Sequence, residues 1–299
     1  MAASAKPLMP APGASEGAAP REISYAFSAR NAAERVLIRS IENLTGRPRL
    51  LKMARGYEVE VEAGRNFWEV IQERYGITMN FVDGGLENIP RTGPLVLVSN
   101  HPYGILDGLA MGRILSETRG DFRIIAHVIF RKAKDLQDVI LPIDFGESKE
   151  AMARNIRTRK ESLAYLAQGG AIGIFPGGTV STAAKPFSRA RDPFWKTFTA
   201  KMVAKSQATV VPMYFDGVNS RLFQIASHLN QTLRTALLIG EFDRHVGTSL
   251  NVTIGKPLAR SEIDDRAKDG RALMEYLRHV TYELAPAKDR DHSHGLYLG

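Results

Sequence analysis

Short apolar segments alternate with longer amphipathic ones from residue 79 almost to the end of the chain. The short segments are rich in β-branched residues and bounded by Gly and Pro, which predicts strands. The longer ones repeat apolar residues every three to four positions, which predicts helices. Strands joined by helical crossovers form a parallel sheet covered on both faces, so we expect an α/β fold, a twisted, mostly parallel sheet flanked by helices. The predicted strands are 79–82, 94–100, 123–130, 141–145, 171–175, 209–215 and 249–258, and the helices between or after them include 106–117, 149–168, 192–206, 220–235 and 263–284.

The residues before this region predict an N-terminal amphipathic helical extension. Ser28 to Leu44 and Arg65 to Tyr75 have helical apolar spacing, and the second segment carries the pair Phe67 and Trp68. Basic amphipathic helices with aromatic residues lie on membranes in some proteins and pack on a core in others. We therefore expect four parts: a disordered tail, a helical membrane-associating extension, an α/β domain and a flexible C-terminal tail, at residues 1–20, 21–78, 79–290 and 291–299.

Composition narrows the possible functions. The 299 residues include no Cys, which excludes a disulfide scaffold, a Cys-ligated metal and a cysteine nucleophile, and is consistent with a reducing compartment. No apolar run approaches the roughly 18 residues that a membrane span needs. Residues 1–20 lack the apolar segment of a signal peptide, so we expect a cytoplasmic protein.

The charge is positive and unevenly placed. The chain has 40 Lys and Arg against 32 Asp and Glu, a formal net charge of +8. Residues 28–55 hold seven basic and two acidic side chains, and residues 185–205 hold six and one. Such patches favour an anionic partner, which is a nucleic acid, an acidic protein or an anionic membrane surface, unless they are simply solvated.

A His and an Asp follow the strand predicted at 94–100. His101 comes directly after this strand, and Asp107 lies where the next helix begins, with a Pro/Gly turn between them. Open α/β sheets bind ligands at such strand ends. A turn that folds Asp107 back onto His101 would fix the imidazole tautomer and leave the other ring nitrogen free to accept a proton. The alternative is that Asp107 only caps its helix and His101 is an ordinary polar residue.

A glycine-containing segment, Phe175-Pro176-Gly177-Gly178-Thr179-Val180-Ser181, follows the strand predicted at 171–175. Glycines at this place allow backbone N–H groups to approach an anion or an oxyanion closely. The segment lacks the Gly-Lys-Ser/Thr ending and the spaced Gly-x-Gly-x-x-Gly pattern, so neither a P-loop nor a Rossmann site is predicted. A plain tight turn is the alternative.

The sequence gives less support to a serine nucleophile or a metal site than to a His–Asp pair. No Gly-x-Ser-x-Gly elbow surrounds Ser99 or Ser181. The segment 291–294 contains two His and could hold a metal, but polar chain ends are usually frayed, and no metal site is predicted. The other His residues stand singly, at 127, 228, 245 and 279.

The order of these motifs resembles the glycerophospholipid acyltransferase superfamily, the lysophosphatidate acyltransferase-like enzymes. That family is marked by a His-x4-Asp motif, a Phe-Pro-Glu-Gly-Thr-Arg-Ser motif and a later Val-Pro segment. The matching residues here are His101 with Asp107, residues 175–181, and Val211-Pro212, so the resemblance covers roughly residues 80–260. Residues 214–223, Tyr-Phe-Asp-Gly-Val-Asn-Ser-Arg-Leu-Phe, resemble the bacterial hemolysin-like and lyso-ornithine-lipid acyltransferase branch.

Three features depart from the family pattern. Five residues instead of four separate His101 from Asp107, Gly177 stands in place of the motif Glu, and Val180 stands in place of the motif Arg. In the family the last two positions help to bind the glycerol phosphate of the acceptor. An intermediate motif contributes another Arg, which the corresponding residues 141–145 lack. Without a guanidinium the site loses its bidentate phosphate clamp, so we favour a lyso-aminolipid acceptor. Lysophosphatidate and a non-catalytic lipid-binding role on the same fold are the alternatives.

The resemblance implies acyl transfer by direct attack, without an acyl-enzyme. His101 would take the proton of an acceptor hydroxyl while that oxygen attacks the thioester of acyl-ACP or acyl-CoA, and Asp107 would orient His101. The implied role is bacterial membrane lipid synthesis by a peripheral protein on the cytoplasmic face of the inner membrane, with no transmembrane helix.

The expected partners are a lysolipid acceptor, an acyl carrier protein or acyl-CoA, and an anionic membrane surface, with no nucleic acid and no permanently bound cofactor. Besides His101 and Asp107, the site falls into two sets. The predicted substrate-binding residues are Asn100, Tyr103, Gly104, Phe175, Pro176, Gly177, Gly178, Thr179 and Ser181. The predicted basic patch for the carrier or the membrane contains Arg35, Arg39, Lys185, Arg189 and Arg191.

Overall fold

A seven-stranded sheet organises the structure, a computed structural model that describes residues 24–144 and 148–297. The strands are β1 (Thr78–Asp83), β2 (Leu95–Ser99), β3 (Arg123–His127), β4 (Ile140–Ile143), β5 (Ala171–Ile174), β6 (Thr182–Ala183), β7 (Ala190–Arg191), β8 (Thr209–Asp216) and β9 (Ser249–Ile254). The sheet order is β1-β9-β8-β2-β5-β3-β4, and β6 pairs with β7 in a separate hairpin. Only β8 and β9 are antiparallel neighbours in the large sheet; the others are parallel. The predicted α/β class with a mostly parallel sheet is confirmed.

Helices cover both faces of this sheet. Successive side chains of a strand point to opposite faces, and in β2 Leu95 and Leu97 join one apolar cluster while Val96 and Val98 join the other. The two sequence motifs follow the carboxyl ends of β2 and β5. These ends are neighbours because the two strands pair in parallel. The helices are α1 (Ala32–Leu44), α2 (Arg47–Ala54), α3 (Tyr57–Glu62), α4 (Phe67–Arg74), α5 (Ile105–Thr118), α6 (Lys149–Ala167), α7 (Thr197–Lys205), α8 (Arg221–Leu229), α9 (Gln231–Arg244), α10 (Arg260–Asp264) and α11 (Gly270–Glu283).

The N-terminal helices share the core of the α/β domain. Leu50 of α2 and Trp68 of α4 belong to the same buried cluster as the sheet residues. Trp68 lies against Gly112 of α5, where a Cβ would come within 2.3 Å of the indole ring. The expectation that the aromatic pair of this helix docks on a membrane is therefore wrong for Trp68, because its side chain is already buried.

Three predicted helices are interrupted or shorter than their apolar spacing indicates, and the one predicted at 263–284 is divided into α10 and α11. The helix predicted at 220–235 is divided at Asn230, whose extended backbone ends α8 and whose side chain accepts the N–H groups of Thr232 and Leu233 at the start of α9. The helix predicted at 192–206 begins only at Thr197. Residues 192–196 instead form a connection that packs beside the end of β2.

The C-terminal segment is held in place as far as residue 297. Gly295 and Leu296 donate backbone hydrogen bonds to the carbonyls of Asp192 and Thr182, at 2.9 and 3.0 Å, and Arg278 binds the carbonyl of His292 at 2.8 Å. These bonds correct the expectation of a flexible tail for its described part. The predicted tail at 1–20, Phe145 of the strand predicted at 141–145, and residues 298–299 lie outside the described residues. Among the helices that the structure does describe, none is both long and apolar enough to cross a bilayer.

Candidate active site

His101 lies directly after β2, at the carboxyl edge of the sheet. Its side chain is 18% exposed. Its ring stacks on Phe175, which follows the neighbouring strand β5, with 4.2 Å between the ring centroids. The register of β2 and β5 thus brings the two sequence motifs together and fixes the plane of the imidazole.

Asp107 faces the imidazole from the first turn of α5. Its Oδ2 lies 2.9 Å from Nδ1 of His101 and also accepts the backbone N–H groups of Tyr103 and Gly104, at 2.8 and 2.9 Å. The carboxylate therefore caps the helix and contacts the imidazole at once, so the turn folds Asp107 back onto His101 as the sequence predicts, and the catalytic roles of the two residues stay a prediction. Nδ1 has no well-aligned hydrogen bond among the described residues, and catalytic hydrogen bonds often align only when substrate binds.

The extra residue between His101 and Asp107 is accommodated by the turn at Gly104. Its φ of 95° lies in the region that favours glycine, and a Cβ there would lie 3.3 Å from a methyl group of Val180. The lengthened gap therefore leaves the His and the Asp in contact.

Burial sets the electrostatics of this pair. Asp107 is fully buried, and this desolvation raises the pKa of its carboxyl above the usual value, while the nearby imidazole of His101 and the backbone N–H groups of Gly104 and Tyr103 oppose the rise. A buried carboxylate beside Nδ1 favours the tautomer that has its proton on Nδ1. Nε2 of His101 is then left as the nitrogen that accepts a proton.

Asp192 fixes the backbone of His101, and the sequence motifs do not include it. Its Oδ1 accepts the N–H of His101 at 3.2 Å and the hydroxyl of Ser181 at 2.5 Å, and its Oδ2 accepts the indole N–H of Trp195 at 2.9 Å. The N–H of Ser181 in turn donates to the carbonyl of His101 at 2.7 Å. Asp192 and Ser181 thus clamp the loop after β2 to the loop after β5.

Arg234 of α9 is a second residue that the motifs do not reveal. It is 3% exposed, and burial lowers the pKa of its guanidinium to about 10. Nη1 donates to the hydroxyls of Thr182 and Ser227 at 2.6 and 2.8 Å, and Nη2 donates to the hydroxyl of Thr179 and the carbonyl of Val180 at 3.0 and 2.9 Å. Arg234 thereby ties α9 to the loop after β5.

His101 lines a cavity of about 340 Å³ with mostly apolar walls. This volume is within the range of pockets that hold small ligands. Thr179, Lys196 and Arg234 contribute polar groups to it. The apolar lining includes Phe27, Ile105, Leu109, Ile124, Phe130, Leu136, Ile140, Phe175, Phe198 and Leu238.

The predicted substrate-binding residues divide into two groups. Gly104, Phe175, Pro176, Gly178 and Thr179 line the cavity. From the sequence, the N–H of Gly178 is a candidate hydrogen-bond donor to an anion. It already donates to the carbonyl of Phe175 at 3.0 Å, so it is not available for a ligand.

The other predicted substrate-binding residues lie outside the cavity lining. Both amide atoms of Asn100 pair with the backbone of Phe215 in β8, at 2.8 and 2.9 Å. The hydroxyl of Tyr103 donates to the carbonyl of Asp216 at 2.9 Å. Ser181 is bound to Asp192, and a Cβ on Gly177 would also meet Asp192, at 3.4 Å. These residues position the site and do not touch its cavity.

The predicted basic patch is only partly on the surface. Arg191 is buried and donates to the carbonyls of Ala190, Asp289 and Asp291, so its assignment to a surface patch is wrong. Arg189 is paired with Asp289 and lies 3.7 Å from Asp216. Arg35 and Lys185 are exposed, and Arg39, partly exposed, lies 3.9 Å from Glu42.

The C-terminal His residues lie away from this cavity. His292 is 2.7 Å from Glu283, and its ring stacks on that of His279. The three side chains bring potential metal-ligand atoms within 4.8 Å of one another on the surface. His294 pairs with Glu275 instead.

The half-buried His101 and the buried Asp107 thus lie in contact at the carboxyl edge of the sheet, with His101 at the wall of an apolar cavity. A family model described as acyltransferase matches residues 52–291, and the chain belongs to this acyltransferase family. The predicted family and the predicted enzyme class are confirmed.

Two lyso-glycine lipid O-acyltransferases are similar in sequence. The protein from Phocaeicola vulgatus is 29% identical over 219 residues, which cover 69% of this chain and 75% of that protein. The protein from Bacteroides thetaiotaomicron is 26% identical over 220 residues, which cover 69% of this chain and 77% of that protein. Among solved structures, the 1-acyl-sn-glycerophosphate acyltransferase PlsC from Thermotoga maritima aligns with a TM-score of 0.40 and 17% identity, covering 87% of this chain and 85% of that chain.

Proposed function

We propose that this acyltransferase moves a fatty acyl group from a thioester donor, acyl-ACP or acyl-CoA, to the hydroxyl of a lyso-aminolipid. The observation that carries the proposal is the His101–Asp107 pair at the wall of the apolar cavity. The acceptor class is supported by the names of the two relatives and by Gly177 and Val180, which replace the acidic and basic residues of the phosphate-binding motif.

The proposed reaction uses His101 as a general base. Nε2 takes the proton of the acceptor hydroxyl as its oxygen bonds to the thioester carbonyl carbon, and the carbonyl electrons move to oxygen. The tetrahedral intermediate then expels the thiolate, and His101 returns the proton to sulfur, so the products are an ester and a thiol. The buried Asp107 stabilises the imidazolium that forms between the two steps.

Direct attack fits the surroundings of the serines. Ser99 is fully buried, and the hydroxyl of Ser181 donates a hydrogen bond to the carboxylate of Asp192. Neither lines the cavity. An acyl-enzyme on either serine would require the loops after β2 and β5 to separate.

The acceptor is a membrane lipid, and we propose that the protein meets it as a peripheral protein on the cytoplasmic face of the membrane. Helix α8 places Leu222, Ile225 and Leu229 on its exposed face and turns Gln224 and Ser227 inward. An exposed apolar row of this kind is typical of helices that insert into a bilayer surface.

Other exposed apolar residues lie on elements that contact α8 or α9. Helix α9 packs against both α8 and α1, and α1 exposes Leu37 and Leu44. In the hairpin beside α8, Phe187 is 80% exposed and Lys185 supplies an exposed positive charge. We call the exposed residues Leu37, Leu44, Lys185, Phe187, Leu222, Ile225 and Leu229 the docking surface. Residues at the start of α9 and just before α1 line the cavity, so the helices that carry much of the docking surface pack on or lead from elements that border the site.

A substrate panel tests the proposed function. Purified protein is incubated with acyl-ACP or acyl-CoA and with either a 3-hydroxyacyl aminolipid or lysophosphatidate, and products are identified by mass spectrometry. We expect ester formation on the aminolipid hydroxyl. Product from lysophosphatidate alone would show that other basic residues hold a phosphate headgroup. Tight lipid binding without product from either acceptor would indicate a non-catalytic lipid-binding protein.

A further inference from the structure

Arg234 is a buried cation whose four terminal N–H bonds all go to uncharged oxygens. Among residues 24–144 and 148–297, no carboxylate lies within ion-pair distance of it. Burying a charge without an opposite charge is costly, and such cations normally neutralise or find an anion. Arg234 borders the cavity that contains His101, so an anion in that cavity would supply the missing charge.

The three hydroxyls that accept from Arg234 differ in where their own protons go. The hydroxyl of Thr182 donates to the carbonyl of Val180 at 2.9 Å, and that of Ser227 donates to the carbonyl of Phe223 at 2.7 Å. The hydroxyl of Thr179 has no acceptor among the described residues, and Thr179 lines the cavity. Because its oxygen is occupied by the guanidinium, its proton is left to be donated to a ligand.

We propose that the Thr179 hydroxyl, polarised by Arg234, binds the carboxylate of the acceptor headgroup. The inference rests on the proposed function and names the group that the site selects. Arg234 comes from α9 and not from the motif, and it supplies the positive charge that Val180 lacks.

The placement fits a short acceptor. In an N-(3-hydroxyacyl)glycine, seven bonds separate the hydroxyl oxygen from a carboxylate oxygen. His101 and Thr179 line the same cavity, and the N–H of Ser181, two residues after Thr179, is bound to the carbonyl of His101 at 2.7 Å. We therefore expect a single acceptor molecule to present its hydroxyl to His101 and its carboxylate to Thr179.

The test compares N-(3-hydroxyacyl)glycine with its methyl ester, which keeps the reacting hydroxyl and removes the charge. We expect the native protein to prefer the free acid by roughly 10- to 100-fold in kcat/KM, the usual range for a hydrogen bond to a charged group. Thr179→Val should raise KM for the free acid at least about tenfold and leave KM for the thioester and the ester substrate unchanged. Thr179→Ser should restore the preference.

Thr118→Val is the matched control, because Thr118 lies outside the cavity lining and donates its hydroxyl to the carbonyl of Ile114 within α5. Arg234→Gln should reduce the preference as well, and unfolding curves show whether its effect is local. An equal fall of kcat on both substrates in Thr179→Val would place the hydroxyl at the reacting carbonyl and overturn the proposal, as would equal use of acid and ester by the native protein.

Calorimetric binding separates this inference from the proposed function. With His101→Ala, which is not expected to turn over, the free acid should bind at least about tenfold more tightly than the ester, and Thr179→Val should remove the difference. That result would support the subsite even if the native protein failed to acylate the acceptor. Equal binding of both molecules would refute the subsite even if acylation occurred.

Discussion

Asp107 places one carboxylate oxygen 2.9 Å from Nδ1 of His101 while the same oxygen holds two backbone N–H groups at the start of α5. The proposed general base is thus oriented by the group that caps its neighbouring helix. Helix capping and orientation of the base cannot be altered separately at this position, so variants of Asp107 should change both activity and stability.

Replacing Asp107 by Asn should lower kcat by roughly 10²- to 10⁴-fold, the range typical of general acid–base catalysis, with a small change in KM. The amide cannot stabilise the imidazolium as a carboxylate does. Asp243→Asn, on the surface beside Arg49, is the control and should retain activity. An Asp107→Asn enzyme within threefold of the native rate would refute this role.

The pKa of Asp107 also predicts a pH dependence. Burial raises its pKa in the folded state above that of the unfolded chain, so the folded state binds the proton more tightly. The contribution of this group to the free energy of unfolding should therefore grow as pH falls through the folded pKa and decline as pH rises through it. Urea unfolding from pH 4 to 8 gives the free energy of unfolding of the native protein and of Asp107→Asn, which lacks this titrating group. The native value minus the variant value should fall as pH rises. A native-minus-variant value that rises with pH would contradict the sign.

Asp192→Ala should destabilise the protein by at least about 2 kcal/mol and lower kcat more than it changes KM. The substitution leaves buried donors of Ser181 and Trp195 unpaired, each costing about 1–3 kcal/mol, and releases the backbone of His101. Because Asp192 acts through His101, Asp192→Asn should recover most stability and part of the rate. Chemical unfolding and steady-state kinetics measure both effects. Unchanged kcat in a destabilised Asp192→Ala protein would show that the residue is only structural.

The strand pattern predicts the sheet, and the short turn between His101 and Asp107 predicts their contact, because both depend on residues that are close in the chain. Asp192 and Arg234 could not be predicted in the same way. Each lies in a segment with helical spacing, and its role arises only when distant loops meet. Conversely, Asn100 and Tyr103 lie close to His101 in the chain, but their side chains donate hydrogen bonds to backbone carbonyls of β8 and do not face the cavity.

Gly112→Ala should destabilise the fold by about 1–3 kcal/mol, because the added methyl group would overlap the buried ring of Trp68. Gly108→Ala on the same helix is the matched control, since a Cβ there meets nothing within 4 Å and alanine favours helices. Thermal unfolding of the two variants checks this. A Gly112→Ala protein as stable as Gly108→Ala would show that α4 does not pack as described.

The docking surface predicts where the protein touches a bilayer. Leu222→Asn combined with Leu229→Asn should lower binding to anionic vesicles at least about tenfold, because each substitution removes apolar burial in the bilayer. Met152→Asn combined with Ile156→Asn, on the exposed side of α6, is the matched control. Flotation with phosphatidylglycerol vesicles measures the binding. Equal losses in both double variants, or none in the first, would place the membrane contact elsewhere.

Single-turnover acyl transfer by the native protein and by His101→Ala, with the intact protein mass recorded during the reaction, tests direct attack by the acceptor hydroxyl. We expect an ester product, no acylated protein, and a rate lower by roughly 10²- to 10⁴-fold in the variant. A His101→Ala protein that retains the native rate, or a protein mass increased by one acyl group before product appears, would contradict direct attack assisted by His101.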